Sequence, residues 1–170
     1  MPDMKYKIGI VGVGMVGTQI RRWFLSKGHK VVAYDKYKKI GSMDDLDSAD
    51  LIFLCLPSAY NKKAKNGVDV TSFKEVMTSF KESKIFVIKS TIPPGTTSAL
   101  SNIFKRHKIF HSPEFLTEAT AWEDFSKPVI QLLGFTNNQE NLAMNIIKIL
   151  PKGKYSKVLT ATTTETFKYT

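Results

Sequence analysis

Between Lys7 and Asp35 the chain leaves itself little choice of fold. Lys7-Ile-Gly-Ile-Val11 is a short apolar run rich in β-branched residues, which predicts a strand. Gly12-Val13-Gly14-Met15-Val16-Gly17 follows directly and predicts a tight turn. Thr18 to Lys27 then carries Ile20, Trp23 and Phe24 at helical spacing, and Gly28 stops the helix. Lys30 to Asp35 predicts a second strand ending in a carboxylate. Strand, glycine turn, helix, strand and acid, in that order, form the unit that binds a dinucleotide.

Each residue type has a task in that unit. Gly12 allows the turn, Gly14 lets a pyrophosphate approach the backbone, and Gly17 lets the helix pack close to the sheet. Val13, Met15 and Val16 fill the loop and belong to the same expected cofactor set. The helix start offers unpaired N–H groups and the positive end of its dipole. Asp35 is placed to accept from a ribose 2′-hydroxyl and would repel a 2′-phosphate. The expected cofactor is therefore NAD rather than NADP, a preference that the neighbouring Lys36 weakens slightly.

The rest of the chain alternates strand and helix patterns. Met43 to Asp50 reads as a polar turn with Ser42 as a cap, and Leu51 to Leu56 as a strand buried on both faces that carries Cys55 and ends at Pro57-Ser58. A loop with a turn at Asn66-Gly67 precedes a helix to about Ser79, capped by Thr71 or Ser72. Lys84 to Lys89 is another strand, and it runs into Ser90-Thr-Ile-Pro-Pro-Gly-Thr-Thr97, a loop that the prolines keep out of helix. A helix from Thr97 to Arg106, with Leu100, Ile103 and Phe104 inward, leads to a strand at Lys108–His111. His107 and His111 read as surface or strand-end residues. Ser112 to Glu118 follows, and Ala119 to Phe125 is mixed polar and aromatic. Val129–Leu133, Asn138–Leu150, Val158–Thr160 and Thr162–Thr170 read as strand, helix, strand and the start of a helix. The expected fold is a single α/β domain over residues 1–160, a doubly wound and mostly parallel Rossmann-like sheet, with residues 161–170 beginning a further helix.

Composition narrows the function. The 170 residues carry a net charge of +10, from lysines spread along the chain without a nucleic-acid-binding signature beside them. Nucleic acid is not an expected partner; an anionic ligand is compatible with the charge. There is no apolar run of about 18 residues and no apolar leader, so neither a membrane span nor a signal peptide is expected. The single cysteine excludes an internal disulfide and fits a reducing cytoplasm. Cys55 reads as a buried small apolar residue, and no cysteine or histidine spacing suggests a metal.

Four segments, Gly12–Gly17, Ser90–Thr97, Ser112–Glu118 and Glu165–Tyr169, together resemble the N-terminal domain of the UDP-glucose/GDP-mannose dehydrogenases. The Ser-Thr-Ile-Pro-Pro-Gly-Thr-Thr and Pro-Glu-Phe-Leu-Thr-Glu loops carry most of that likeness. The resemblance implies oxidation of a nucleotide sugar's C6 alcohol to a carboxylate, two NAD+ being reduced while a cysteine holds a thiohemiacetal and then a thioester. It implies that Thr91 places a catalytic water near the nicotinamide, that Glu114 is the acid/base of thioester hydrolysis, and that Glu118 touches cofactor and water. Lys168, three residues after Glu165, would steady the oxyanion. Phe115 and Leu116 would face the substrate, beside Glu114 and Lys168. Leu56, Pro57, Ser58, Ser90 and Thr91 would line the cofactor.

The chain also departs from the family pattern. The connection from Asp35 to Leu51 is short where the family has an extra helix. Leu56-Pro57-Ser58 stands where the family has a threonine–proline pair. The family's dimerising helix, second domain and nucleophilic cysteine do not occur in these 170 residues. The expectation is an NAD-binding domain of a nucleotide-sugar 6-dehydrogenase that needs another domain or chain for its sugar and its thiol, with a homo-oligomer left open. A small hydroxyacid-type dehydrogenase domain using Lys168, and a non-catalytic NAD-sensing or partner-binding module, remain as alternatives.

Overall fold

The computed structural model describes residues 6–59, 61–64 and 67–169. Asn66, half of the expected Asn66-Gly67 turn, lies outside the described residues. Seven strands form one sheet: β1 (Ile8–Val11), β2 (Val31–Tyr34), β3 (Leu51–Leu54), β4 (Ile85–Ile88), β5 (Lys108–His111), β6 (Ile130–Phe135) and β7 (Tyr155–Thr160). Their order is β2-β1-β3-β4-β5-β6-β7. Every pairing is parallel except β5 with β6, which run antiparallel. The helices are α1 (Met15–Ser26), α2 (Thr71–Ser79), α3 (Thr96–Ile103), α4 (Ala121–Ser126), α5 (Glu140–Ile149) and α6 (Ala161–Tyr169).

The unbroken apolar strands have a simple cause. Side chains alternate across a strand, and here both faces are covered. Ile8, Ile10, Leu51, Phe53, Val87 and Phe110 join Ile20 and Phe24 of α1 and Ala143 and Ile146 of α5 in one core layer. Their alternates Val11, Ile52, Leu54, Phe86, Ile88 and Ile109 meet Phe73 and Met77 of α2 and Leu100 of α3 in the other.

Several local expectations are corrected. The first helix begins at Met15, inside the glycine segment. Helix α2 is not capped by Thr71 or Ser72; Asp69 Oδ1, just before it, accepts from the Thr71 N–H at 2.9 Å. Helix α3 ends at Ile103, which is exposed, while Leu100 is buried. Both histidines are interior. His107 is buried with its ring between the Met77 carbonyl, 3.0 Å from Nε2, and the Lys84 N–H, 3.2 Å from Nδ1. His111 is fully buried at the end of β5. Ser42 does act at the start of its turn, where the Asp45 N–H donates to its Oγ and its own N–H donates to Asp45 Oδ2. The short link after β2 closes with a bridge between Asp35 and Ile40 and leaves β2 at the sheet edge.

This topology fixes where a ligand can go. From β1 the chain crosses to β2 on one side and then returns to β3 on the other. The crevice beyond the carboxyl ends of β1 and β3 is the switch point of the sheet, the place where open α/β sheets bind.

Candidate functional site

The glycine turn opens onto that crevice. Gly12 has φ +89°, a conformation that side chains rarely adopt, and a Cβ there would lie 2.5 Å from the Cys55 carbonyl oxygen. A Cβ on Gly17 would collide with the Gly12 carbonyl, so the close approach of α1 depends on its absence. Gly14 is different: a Cβ there meets no protein atom within 4 Å. Its bare backbone faces space rather than protein. Helix α1 has no side-chain cap and no acid in its first turn. Its first N–H groups and dipole are left uncompensated, which is the electrostatics an anion needs.

Asp35 ties this loop to the turn after β2. Its Oδ2 accepts from the Val13 N–H at 2.8 Å, and its Oδ1 from Tyr37 and Lys38 at 3.0 and 2.9 Å. Burial pushes its carboxyl up, but the N–H groups of Lys38, Val13 and Tyr37 and the Lys38 charge outweigh this, and the net shift is downward. An ionised carboxylate has about four acceptor sites; three are used, and one remains for a ribose hydroxyl. The Lys38 ammonium reaches the Val13 carbonyl at 2.6 Å, a contact the sequence did not suggest. Gly12, Gly14, Asp35, Lys36 and Lys38 line one side of a cleft of about 780 Å³, with Thr71 and Glu75 of α2 opposite. Val13 and Gly17 shape this loop from behind. The bare loop, uncompensated helix start and spare carboxylate site fit a dinucleotide.

A second cleft of about 280 Å³ continues from the first, and both share Cys55, Leu56 and Pro57. Met15, Val16, Ser58, Ser90, Thr91, Glu114, Leu116 and Lys168 line it, together with Lys89. Three separate segments thus converge. The Ser90–Gly95 loop leaves β4, with Ser90 Oγ donating to the Leu56 carbonyl at 2.5 Å. The Ser112–Glu118 loop leaves β5. Lys168 arrives on α6; its ammonium donates to the Glu114 backbone carbonyl and lies 4.7 Å from the centre of the Phe115 ring. Phe115 is exposed and packs edge-on against Phe167 at 5.9 Å. Glu118, the last residue of the Ser112–Glu118 loop, is exposed and does not line either cleft.

Buried polar contacts hold α6 in place. Glu165 is fully buried and accepts from the Gly95 N–H at 2.6 Å, the Thr97 N–H at 2.8 Å and the Thr97 hydroxyl at 2.5 Å. Burial raises its carboxyl above the usual range, against the downward pull of those bonds. His111 Nε2 lies 3.3 Å from the Ser90 carbonyl and Nδ1 lies 2.9 Å from the Thr164 hydroxyl. The same Thr164 hydroxyl donates to the Ala161 carbonyl at 2.8 Å, which links the ring to the start of α6. Desolvation takes His111 down to about 4, with the charges of Lys89 and Lys168 adding to it. The Lys168 ammonium is also lowered, by desolvation first, with Glu114 opposing and Lys89 assisting.

Cys55 lies just beyond β3, on the ridge between the clefts. Burial pushes its thiol up to about 12, against the pull of Lys89. It is a thiol at neutral pH and a poor nucleophile. Among the described residues no group of three or more His, Cys, Asp or Glu side chains could hold a metal, and no helix is long and apolar enough to cross a membrane. Sequence reasoning missed Lys89 and Lys38. Nothing in the order of residues marks them among 25 lysines and arginines.

Comparison with known proteins agrees with this geometry. A UDP-glucose 6-dehydrogenase of Rickettsia conorii is 29% identical over 74% of this chain, which spans 31% of that protein. A UDP-glucose dehydrogenase structure from Pyrobaculum islandicum has the same fold, with TM-score 0.80 and 20% identity over 99% of this chain and 49% of that one. The GDP-mannose dehydrogenase structure from Pseudomonas aeruginosa gives TM-score 0.74 and 20% identity, over 96% of this chain and 48% of its own. The chain thus spans about a third of the sequence relative and half of the structural ones. The family described as UDP-glucose/GDP-mannose dehydrogenase, NAD binding domain, matches residues 36–150. With the glycine turn, the switch-point cleft and the two loops beyond β4 and β5, this chain belongs to that family, as its NAD-binding domain.

Proposed function

We propose that this chain is the dinucleotide-binding half of a nucleotide-sugar 6-dehydrogenase of the UDP-glucose type. The observation that carries the proposal is the convergence of Thr91, Glu114 and Lys168 on one cleft that joins the glycine-loop cleft at Cys55–Pro57. Bound NAD would supply a hydride acceptor at the junction. In the overall reaction a CH2OH group, one water and two NAD+ give a carboxylate, two NADH and three protons. The chain's own groups suit the steps that remain. The Lys168 ammonium, aimed across the Glu114 carbonyl, is placed to steady negative charge on the sugar oxygen. The Glu114 carboxylate can take a proton from a water that Thr91 orients. Glu118 keeps the role of a cofactor or water contact that the family likeness implies. Cys55 is half-buried, and desolvation raises its thiol, which makes it a poor acyl carrier, so another domain or chain would bring that thiol and the sugar pocket.

Titration calorimetry of this chain with NAD+ and NADP+ tests the cofactor half. NAD+ is expected to bind at least about tenfold more tightly, a difference near 1.4 kcal/mol. Equal binding, or no binding of either, would overturn the reading.

A further inference from the structure

Lys89 immediately follows β4, and its N–H donates to the Leu54 carbonyl at 2.9 Å. Its side chain runs into the interior and is 2% exposed. The ammonium lies 3.0 Å from Glu114 Oε2 and donates to Ser112 Oγ at 2.9 Å. Ser112 Oγ also accepts from Gln131 Nε2 of β6 at 3.2 Å. Ser112, Gln131 and Lys89 are all buried. A brace therefore runs from β6 through Ser112 to the lysine, and from the lysine to the glutamate.

The glutamate end is the informative one. Glu114 Oε2 is shut off from solvent and accepts no hydrogen bond of good geometry among the described residues; the ion pair with Lys89 is its compensation. Oε1 is met only by the N–H of the adjacent Phe115, at 3.2 Å. A buried carboxylate oxygen with a single compensating charge stays in place only while that charge is present. Glu114 is partly exposed, so an alternative lies close by: rotation of the carboxylate into the cleft and out to water. A buried lysine is an expensive way to fill space, and an apolar side chain of the same length would do that better.

We propose that Lys89 is a positioning residue for the catalytic water chemistry: it holds the Glu114 carboxylate in one orientation at the floor of the cleft, and is itself held by Ser112 and Gln131. The consequence for reaction rests on the reading of Glu114 as the proton acceptor from water; the orientation itself does not.

The test is side-chain NMR on the 13C,15N-labelled chain, comparing the unaltered protein with Lys89→Met, Lys89→Arg and Ser112→Ala. In the unaltered chain the Lys89 ammonium gives a slowly exchanging signal with a through-space contact to the Glu114 side chain, as the 3.0 Å ion pair requires, and Glu114 occupies one rotamer. In Lys89→Met the Glu114 side-chain order parameter falls from about 0.8 to below about 0.6, while backbone shifts away from the cleft stay put. Lys89→Arg restores most of the order, and Ser112→Ala gives an intermediate value. A folded Lys89→Met protein that keeps Glu114 in one rotamer overturns the proposal. If Lys89→Met does not fold, the unaltered chain decides: a single-rotamer Glu114 in through-space contact with the Lys89 ammonium supports the proposal and an averaged one overturns it. NAD+ titration of the same samples separates the two readings, since absent NAD+ binding sinks the cofactor assignment and leaves the Lys89 result standing.

Discussion

Gly14 and Gly17 stand three positions apart and do unlike work. A Cβ at Gly17 strikes backbone, so that glycine serves packing; a Cβ at Gly14 strikes nothing the protein provides. Gly14→Ala is therefore expected to leave the melting temperature within about 2 °C of the parent, since surface changes stay within about 0.5 kcal/mol. NAD+ affinity is expected to drop more than about tenfold, because the methyl group occupies space reserved for pyrophosphate. Calorimetry and thermal melts on one preparation check both halves, and undiminished affinity would show that the cofactor does not approach there. Spacing exposed these glycines and Asp35 to sequence reading, and the family resemblance exposed Thr91 and Glu114 in their loops. Burial decided the rest. His111 is at a strand end, as read, but its burial was not legible because sequence does not tell which strand end α6 will cover. Its depressed value has a thermodynamic result. The unfolded imidazole takes a proton near pH 6.5, the folded one only near 4. The unfolded state thus binds more protons between those values, and stability falls as pH drops through that window. At about 1.4 kcal/mol per unit the loss is about 3 kcal/mol. Denaturant titrations at pH 7 and pH 4 should show it, and His111→Gln should flatten the slope between them.

Helix α6 carries the cleft-lining Lys168 near one end and an anchor within it. Glu165 satisfies two backbone N–H groups and one hydroxyl at the start of α3, all from beneath the Pro93-Pro94-Gly95 loop. Glu165→Ala leaves those donors buried without a partner, at a cost of about 2–4 kcal/mol, or roughly 2–4 °C of melting temperature per kcal/mol for a chain of this size. Glu165→Gln keeps one acceptor and should fall between. Thermal melts of the two variants check this, and equal melting points would show the anchor to be idle. The element pattern was legible because strands buried on both faces read as unbroken apolar runs, as at Leu51–Leu54. Strand direction was not: the residues of β6 do not encode which way it runs beside β5, and α4 is too short for its periodicity to show. Helix α3 was read too long because Phe104 still packs against the core just past the helix end, while Ile103 faces out.

Across the whole molecule the two clefts make one trough along the carboxyl edge of the sheet, with the Cys55–Pro57 ridge between the glycine-loop end and the end lined by Thr91, Glu114 and Lys168. The trough holds an acid, an ammonium and a hydroxyl but no accessible thiolate. Incubation of this chain with UDP-glucose and NAD+ is expected to give no NADH above background, followed at 340 nm; steady turnover would mean that the acyl carrier is within these residues after all. Cys55→Ser should leave NAD+ affinity unchanged within about twofold, because the ridge contributes its backbone rather than its thiol.

The knot between Glu165 and the proline loop gives the domain a kind of autonomy. The helix that delivers Lys168 is fastened to the loop that delivers Thr91 by bonds made entirely within this chain, so neither waits for an outside body to set its angle. A reaction shared between two bodies is easiest to assemble when each half arrives already in shape. That internal fastening gives the two side chains a fixed relation to each other, set by residues of this domain alone.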